Sequence, residues 1–399
     1  MKIQNIIFSL VVCLFACMPA VLYCATRLEV DIPVQLTSEP AEYLAGGLSE
    51  ANVAATFSLS GFKNKEFQNA VETEIGNFIP AKAEAIIICS GLQRKGIEAS
   101  NLVFNWDCYP TFYGSERLYI PSSNAVTYMP RKHSEDYVQK WKEFADNIRG
   151  IAARFPEKNF VLYVVQGYTE PAINPAYSLV SDPLSPRLCS ETLFQALSGA
   201  ENVHVLTQDF DNPSDYYTQF FTTDHHWNID GAFEGYKQIS GILELDAVEE
   251  KGIHPIENYL FTGATARWGV DLLQESVFDC NYDFSNLSIE MDDGKTIDGN
   301  NHDYFWDCNP LGKPYLFYDN YYGGTGNCSI IGGHGDKKGL LVGNSYKEAL
   351  QRPLAESYEI LEVGVDAKLS AYVVEKLEDR IQELDTDDII LVGHPNSYV

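Results

Sequence analysis

Toward its C-terminus the chain alternates short apolar runs with helical ones, and this alternation restricts the fold more than any other feature. "GLLVG" (339–343) precedes a helix from Tyr346, "YEILEVGV" (358–365) precedes the helix "AKLSAYVVEKLEDRIQEL" (367–384), and "DDIILVGH" (387–394) follows. Strand, helix, strand, helix, strand with short links implies crossover connections and a parallel sheet. The same signal stands upstream. In "SEDYVQKWKEFADNIRGIAARF" (134–155), Tyr137, Trp141, Phe144, Ile148, Ile151 and Phe155 recur at intervals of three and four, which predicts an amphipathic helix capped by Ser134. "NFVLYVVQ" (159–166) is apolar without interruption, as a strand buried on both faces must be. A further strand is expected at "NVHVLT" (202–207), then a helix with Ile229, Phe233, Tyr236, Ile239 and Leu243 on one face. Residues 246–337 break the pattern. They are rich in Gly, Asp, Asn and Tyr and read as a β-rich insertion of short strands and loops.

The N-terminus adds a different kind of segment. Lys2, an apolar run from Ile6 to Met18, then Pro19 and small residues have the layout of a secretory signal, with an uncleaved membrane anchor as the competing reading of residues 1–25. Residues 26–60 read as a linker. Residues 61–133 read as a side element, helical from Phe62 to about Lys95 with a break at Pro80 and irregular beyond, and 134–399 as the α/β domain. Three of nine cysteines lie in the N-terminal segment; the other six, Cys89, Cys108, Cys189, Cys280, Cys308 and Cys328, are even in number, which permits disulfides in an exported chain. A net charge of −28 excludes nucleic acid as a partner.

Ligands of parallel sheets sit beyond the carboxyl ends of the strands. Ser345 in "LLVGNSYKEAL" stands there, where a buried strand ends and a helix begins, so its hydroxyl can face the crevice beside backbone N–H groups suited to an oxyanion. Helix capping is the competing role for such a serine. In "QFFTTDHHWNIDGA" (219–232), Asp224 and His226 also follow a strand region and precede a helix. In an extended segment positions i and i+2 point the same way, so the carboxylate can orient one imidazole nitrogen and leave the other for Ser345, whereas His225 points oppositely. A metal site is not expected, because adjacent histidines diverge and no third ligand stands at a telling spacing. Trp227 reads as core or as a wall of the acyl pocket. Asn344 and Tyr346, beside the serine, are substrate or oxyanion candidates. "YYGGTGN" (321–327) offers Gly324 N–H or the Asn327 amide to the oxyanion, with a plain turn as the alternative. "GGHGDKKG" (332–339) precedes a strand, where a phosphate loop would follow one.

"TTDHHWNIDGA", "YLFTGATARWG", "YDNYYGGTGN" and "LLVGNSYKEALQRPLAESYEILEV" together resemble the bacterial DHHW family, itself similar to the SGNH-like proteins that O-acetylate alginate. The resemblance spans most of residues 57–399 and is sharp only in these motifs. It implies an SGNH-hydrolase-like α/β fold, a parallel sheet flanked by helices, with the motif order circularly rearranged so that D-x-H-W precedes the serine. It also implies Asp224 as orienter, His226 as base and Ser345 as nucleophile; Asn344 stands where relatives often carry aspartate. The expected activity is that of an exported carbohydrate O-acetyltransferase or acetylesterase, secreted, periplasmic or at the cell surface, with no cofactor and a polysaccharide or other glycan as partner. A non-catalytic glycan-binding or polysaccharide-assembly protein is the alternative. The acidic charge favours a neutral or amino-sugar glycan over a uronic-acid polymer, unless Lys237, Arg267, Lys337, Lys338, Lys347 and Arg352 form a basic patch at the serine.

Overall fold

The computed structural model describes residues 53–77, 82–111, 117–130, 135–167, 169–179, 185–246, 248, 252, 254–268, 273–279, 283–299 and 326–399. The chain divides into two compact units, residues 1–104 with 270–272 and residues 105–269 with 273–399. The first carries helices α1 (Val53–Thr56), α2 (Leu59–Lys63), α3 (Glu66–Asn77) and α4 (Lys82–Phe104). Ser58 caps α2 by accepting the Gly61 N–H at 2.9 Å. The described part of the stretch expected to be helical is largely helix, which continues to Phe104; residues 78–81, Pro80 among them, lie outside the described residues.

The second unit opens with strands β1 (Tyr109–Pro110), β2 (Arg117–Ile120) and β3 (Ala125–Tyr128), an antiparallel sheet where the sequence reads as irregular. Strands of four residues or fewer are too short to show a period. Helix α5 (Glu135–Ala152) leads to β4 (Asn159–Val164), then α6 (Pro186–Leu197), β5 (Val203–Thr207), α7 (Pro213–Gln219) and α8 (Ile229–Ile242). Next come β6 (His254–Phe261), α9 (Ala264–Trp268), β7 (Glu275–Asp279), β8 (Ser288–Met291), β9 (Thr296–Asp298) and β10 (Cys328–Ile331). The chain closes with β11 (Lys338–Gly343), a 3₁₀ turn (Ser345–Leu350), α10 (Gln351–Ala355), β12 (Ile360–Val365), helix α11 over 369–384 with a π-helical middle (Val373–Leu377), and β13 (Asp388–Gly393).

One eight-stranded sheet runs in the order β5-β4-β13-β11-β12-β10-β8-β9. The first five strands are parallel; β10, β8 and β9 add antiparallel. Counted from β11, the parallel strands follow the doubly wound order 2-1-3-4-5, whose switch point lies between β11 and β13. Much of the described part of 246–337 is therefore not an appendage: β8 to β10 widen the main sheet, and β6 with β7 form a separate ribbon.

Both faces of the sheet are covered, which is why its central strands read as unbroken apolar runs. Phe160, Leu162 and Val164 of β4 pack with Trp141, Phe144 and Ile148 of α5 and Leu193 of α6 on one face. Val161, Tyr163 and Val165 pack with Trp227 and with Tyr236 and Ile239 of α8 on the other. Each such side chain contributes about 1.5–3 kcal/mol by leaving water. Among the described residues no helix is long and apolar enough to cross a membrane. Cys89, Cys108 and Cys189 are free thiols, so they form none of the permitted disulfides; Cys280 and Cys308 lie outside the described residues.

Candidate active site

Strand β11 delivers Ser345 to the switch point. Gly343, its last residue, pairs with Val365 of β12 and Val392 of β13, so Ser345 emerges at the carboxyl ends of the two central strands. The residue before it settles the capping question. Asn344 is the N-cap of the 3₁₀ turn, its Oδ1 accepting the Tyr346 N–H at 3.2 Å while its Nδ2 donates to Ser397 Oγ at 3.2 Å. The Ser345 hydroxyl is thereby spared capping, and no acceptor for the Ser345 N–H is found among the described residues.

The loop with Asp224 and His226 is built differently from the expectation. It follows helix α7 rather than a strand, and it is a bend rather than an extended segment. Phe220 and Trp227 bridge across its neck, and Phe221 N–H donates to His226 C=O at 3.1 Å. Inside the loop Asp224 Oδ1 accepts the His226 N–H at 3.1 Å, a short-range side-chain turn that places both side chains on one side. Asn228, not the motif, caps α8 by accepting the Gly231 N–H at 3.1 Å. Because the loop bends, His225 does not point away: its ring centroid is 3.9 Å from that of His226, and its Nδ1 is 3.3 Å from Asp224 Oδ1.

The three predicted residues meet. His226 Nδ1 lies 2.6 Å from Asp224 Oδ1, and His226 Nε2 lies 2.6 Å from Ser345 Oγ. The second Asp224 oxygen accepts the Ala264 N–H at 2.6 Å. Burial alone would raise the Asp224 carboxyl, yet the two imidazoles, the His226 hydrogen bond and the Ala264 N–H hold it well below the usual carboxylate range. His225 is pushed down to about 3, by burial first and by neighbouring His226, His394 and Arg117. Burial pushes His394 down to about 4. Asp224, His225 and His226 are also the one group of metal-ligating type found among the described residues, their atoms within 4.8 Å. A metal there would take one nitrogen of His226 and so displace one of its two 2.6 Å contacts, whereas both contacts together fit proton transfer.

The other candidates separate. Trp227 is core, edge-on to Tyr163 and Tyr346. Tyr346 is buried too, its hydroxyl donating to His225 C=O at 2.7 Å, which ties the serine turn to the histidine loop. Asn327 Oδ1 accepts the Val365 N–H at 2.8 Å at the end of β12; Gly324 lies outside the described residues. Of the basic residues expected near the serine, Arg267 has its side chain outside the described residues. Lys337 and Lys338 stand at the amino end of β11, opposite the serine, Lys237 pairs with Glu234 at 2.5 Å, and Lys347 is fully buried.

Several residues at the site carry no warning in the sequence. Val126 of β3 donates to Thr222 C=O at 2.8 Å, Ala266 N–H donates to Thr223 C=O at 2.9 Å, and Tyr128 sets its ring edge-on to His225 with the Arg117 guanidinium 3.7 Å above it. His394 had a signal: like Ser345 it stands just past a buried strand, two residues beyond the paired Val392. Gly263 is so close that a Cβ there would lie 2.5 Å from Asp224 Cβ. Gly263→Ala should therefore lower stability by about 1–3 kcal/mol through overpacking, and denaturant titration checks this. Any turnover should fall further than that loss explains, since the displaced atom belongs to Asp224.

No family model and no curated protein matches the sequence. Solved structures do. A DHHW family protein from Eubacterium siraeum superposes with a TM-score of 0.55 at 16% identity, over 74% of this chain and 94% of that one. Bacillus cereus PatB1 superposes with a TM-score of 0.51 at 16% identity, over 69% and 94%; a second structure of PatB1, with a sulfonyl adduct, gives the same score. The O-acetyltransferase domain of Pseudomonas putida AlgJ gives a TM-score of 0.40 at 13% identity. The resemblance of the motifs to the DHHW family thus meets a fold shared with a member of it.

Proposed function

We propose that this chain is a serine-dependent acyl-transfer enzyme, an O-acetyltransferase or acetylesterase acting on a carbohydrate outside the cytoplasm. The observation that carries the reading is the unbroken chain of two 2.6 Å contacts from Asp224 through His226 to Ser345. In that geometry Ser345 Oγ attacks the carbonyl carbon of an acetyl ester while His226 Nε2 takes the hydroxyl proton. The tetrahedral oxyanion has the Ser345 N–H beside it. Collapse breaks the ester bond, and His226 returns the proton to the departing alcohol. A sugar hydroxyl or water then repeats the sequence in reverse on acetyl-Ser345, giving transfer or hydrolysis. Asp224 keeps the Nδ1–H tautomer and stabilises the imidazolium; general base catalysis of this kind is typically worth ~10²- to 10⁴-fold.

Strand order supports the family reading, because counting from the serine strand restores 2-1-3-4-5 although that strand comes late in the chain. A circular rearrangement accounts for both. PatB1 has been captured with a sulfonyl adduct. An aryl sulfonyl fluoride is accordingly expected to modify this protein once, on the peptide containing Ser345, by intact mass and peptide mapping. Modification elsewhere, or none with no turnover of a small aryl acetate, would sink the enzyme reading and leave a glycan-binding protein.

The acceptor should be a neutral or amino-sugar glycan. A net charge of −28 repels a polyanion, and of the lysines that could have offset it locally Lys337 and Lys338 stand at the far end of β11 and Lys347 is buried. Acetyl transfer to, or release from, a panel of neutral and acidic polysaccharides is expected to favour the neutral chains and to change little with salt. Preference for acidic chains that weakens with salt would overturn this.

A further inference from the structure

The ribbon formed by β6 and β7 places Glu275 directly beneath the peptide that leads into Asp224. One carboxylate oxygen accepts the Thr222 N–H at 2.9 Å and the Thr222 hydroxyl at 3.0 Å. The other accepts the Thr223 N–H at 2.7 Å and, in a very short contact, the Thr223 hydroxyl. Thr223 Oγ1 in turn accepts the Gly263 N–H at 2.8 Å, next to the Ala264 N–H that holds Asp224. The loop is therefore gripped by the ribbon through Thr222 and Thr223. We propose that Glu275 is a positioning residue for the Asp224–His226 pair: by gathering the four donors of Thr222 and Thr223 it fixes the direction in which Asp224 presents its oxygen to the imidazole, and it touches no reacting atom.

Protonation undoes the grip. Both oxygens already accept two hydrogen bonds, and an O–H formed on either one meets donors; the hydroxyls can turn aside, the backbone N–H groups cannot. Burial pushes the Glu275 carboxyl up to about 7, even though these hydrogen bonds pull the other way. The sign is informative. The folded value lies above the ordinary one, so this group's contribution to global stability is fully present at acid pH and is lost as pH rises toward about 7. The order of the loop changes the opposite way, since the four acceptor bonds need the ionised form. Tyr217 of α7 faces the carboxylate, which adds to burial in raising the phenol, so Tyr217 stays neutral. Asp224 stays ionised, His225, pushed down to about 3, stays neutral, and the Arg117 guanidinium stays charged, so none of these mimics the transition near neutrality.

The kinetic half of the test rests on the acyl-transfer reading; the spectroscopic half rests on geometry alone. The low-field proton resonance of the His226 Nδ1–H is followed in wild type, Glu275→Gln, Thr223→Val and Thr223→Ser from about pH 5 to about pH 9, with kcat and KM for an aryl acetate measured alongside. In Glu275→Gln kcat is expected to fall ~10- to 100-fold with KM nearly unchanged, the cost of a misdirected catalytic group. Its resonance should shift or broaden, and the slope of log kcat against pH on the acid side should drop from above one to one. Thr223→Val should move the same way by less, and Thr223→Ser should match wild type. If Glu275→Gln keeps the wild-type resonance, kcat and slope, whatever its melting temperature, Glu275 is only structural and the proposal is wrong. Should Glu275→Gln not fold, a Thr223→Val protein indistinguishable from wild type overturns it equally. If wild type itself shows no Ser345-dependent turnover, the acyl-transfer reading fails, and the resonance alone decides for or against Glu275.

Discussion

Ser345→Ala is expected to reduce aryl acetate turnover by about 10⁴-fold or more, to the level supported by oxyanion contacts and binding alone. The substitution removes one hydroxyl whose recorded partner is His226 Nε2 at 2.6 Å. Asn344 continues to cap the turn, and Tyr346 continues to hold the histidine loop through its hydroxyl. The unfolding free energy should therefore stay within about 0.5 kcal/mol of wild type, as for substitutions that disturb no core or cap. Rate measurement with the folded variant, together with mass analysis for an acetyl adduct, provides the check. A variant that is folded and as active as wild type would remove Ser345 from the chemistry.

Asp224→Asn is expected to cost about 10⁴-fold in kcat, the scale on which a wrong imidazole tautomer acts. The carboxylate accepts from His226 Nδ1, from the His226 N–H and from the Ala264 N–H. An amide has one acceptor oxygen, so its NH2 must face either the imidazole or a backbone donor. Facing the imidazole, it demands a lone pair on Nδ1 and moves the proton to Nε2, where the nitrogen can no longer accept from Ser345. Stability should respond to pH as well. The wild-type Asp224 carboxyl is held below its ordinary range, so its contribution is present above that range and is lost as pH falls; the variant should lack that part of the acid sensitivity. Melting curves between about pH 3 and about pH 7 compare the two directly. Equal kcat in the variant would show that Asp224 only braces the loop.

The parallel half of the fold was legible because fully buried strands have no polar face to obscure them. Strands β4, β11 and β13 correspond to runs read from the sequence, β4 and β13 shortened at their ends and β11 longer by Lys338. Ser345 was legible for the same reason: it stands at the end of such a run. The pairing of Asp224 with His226 came from spacing and resemblance, but the backbone reason given for it was wrong. A side-chain turn at Asp224, not an extended strand, brings the two together, and so His225 stays beside them. Glu275 had no signal at all. Its partners are two threonines 52 and 53 residues away, in a stretch without helical period, and only the folded ribbon brings them into reach. The antiparallel strands β1 to β3 were missed because two to four residues are too few for alternation to register.

The order of strands has a consequence for how the polypeptide comes to be folded at all. Strand β13 separates β4 from β11, and its Asp388 side chain meets Asn159, 229 residues earlier. Until the last strand has emerged, β4 and β11 have no neighbour between them, and neither layer of the core can close. Contacts so distant along the chain form slowly, since a long loop must be closed before they give any return. A polypeptide leaving a ribosome N-terminus first must therefore stay open until β13 is through, and a premature stop anywhere before β13 leaves the strand that carries Ser345 without its central neighbour.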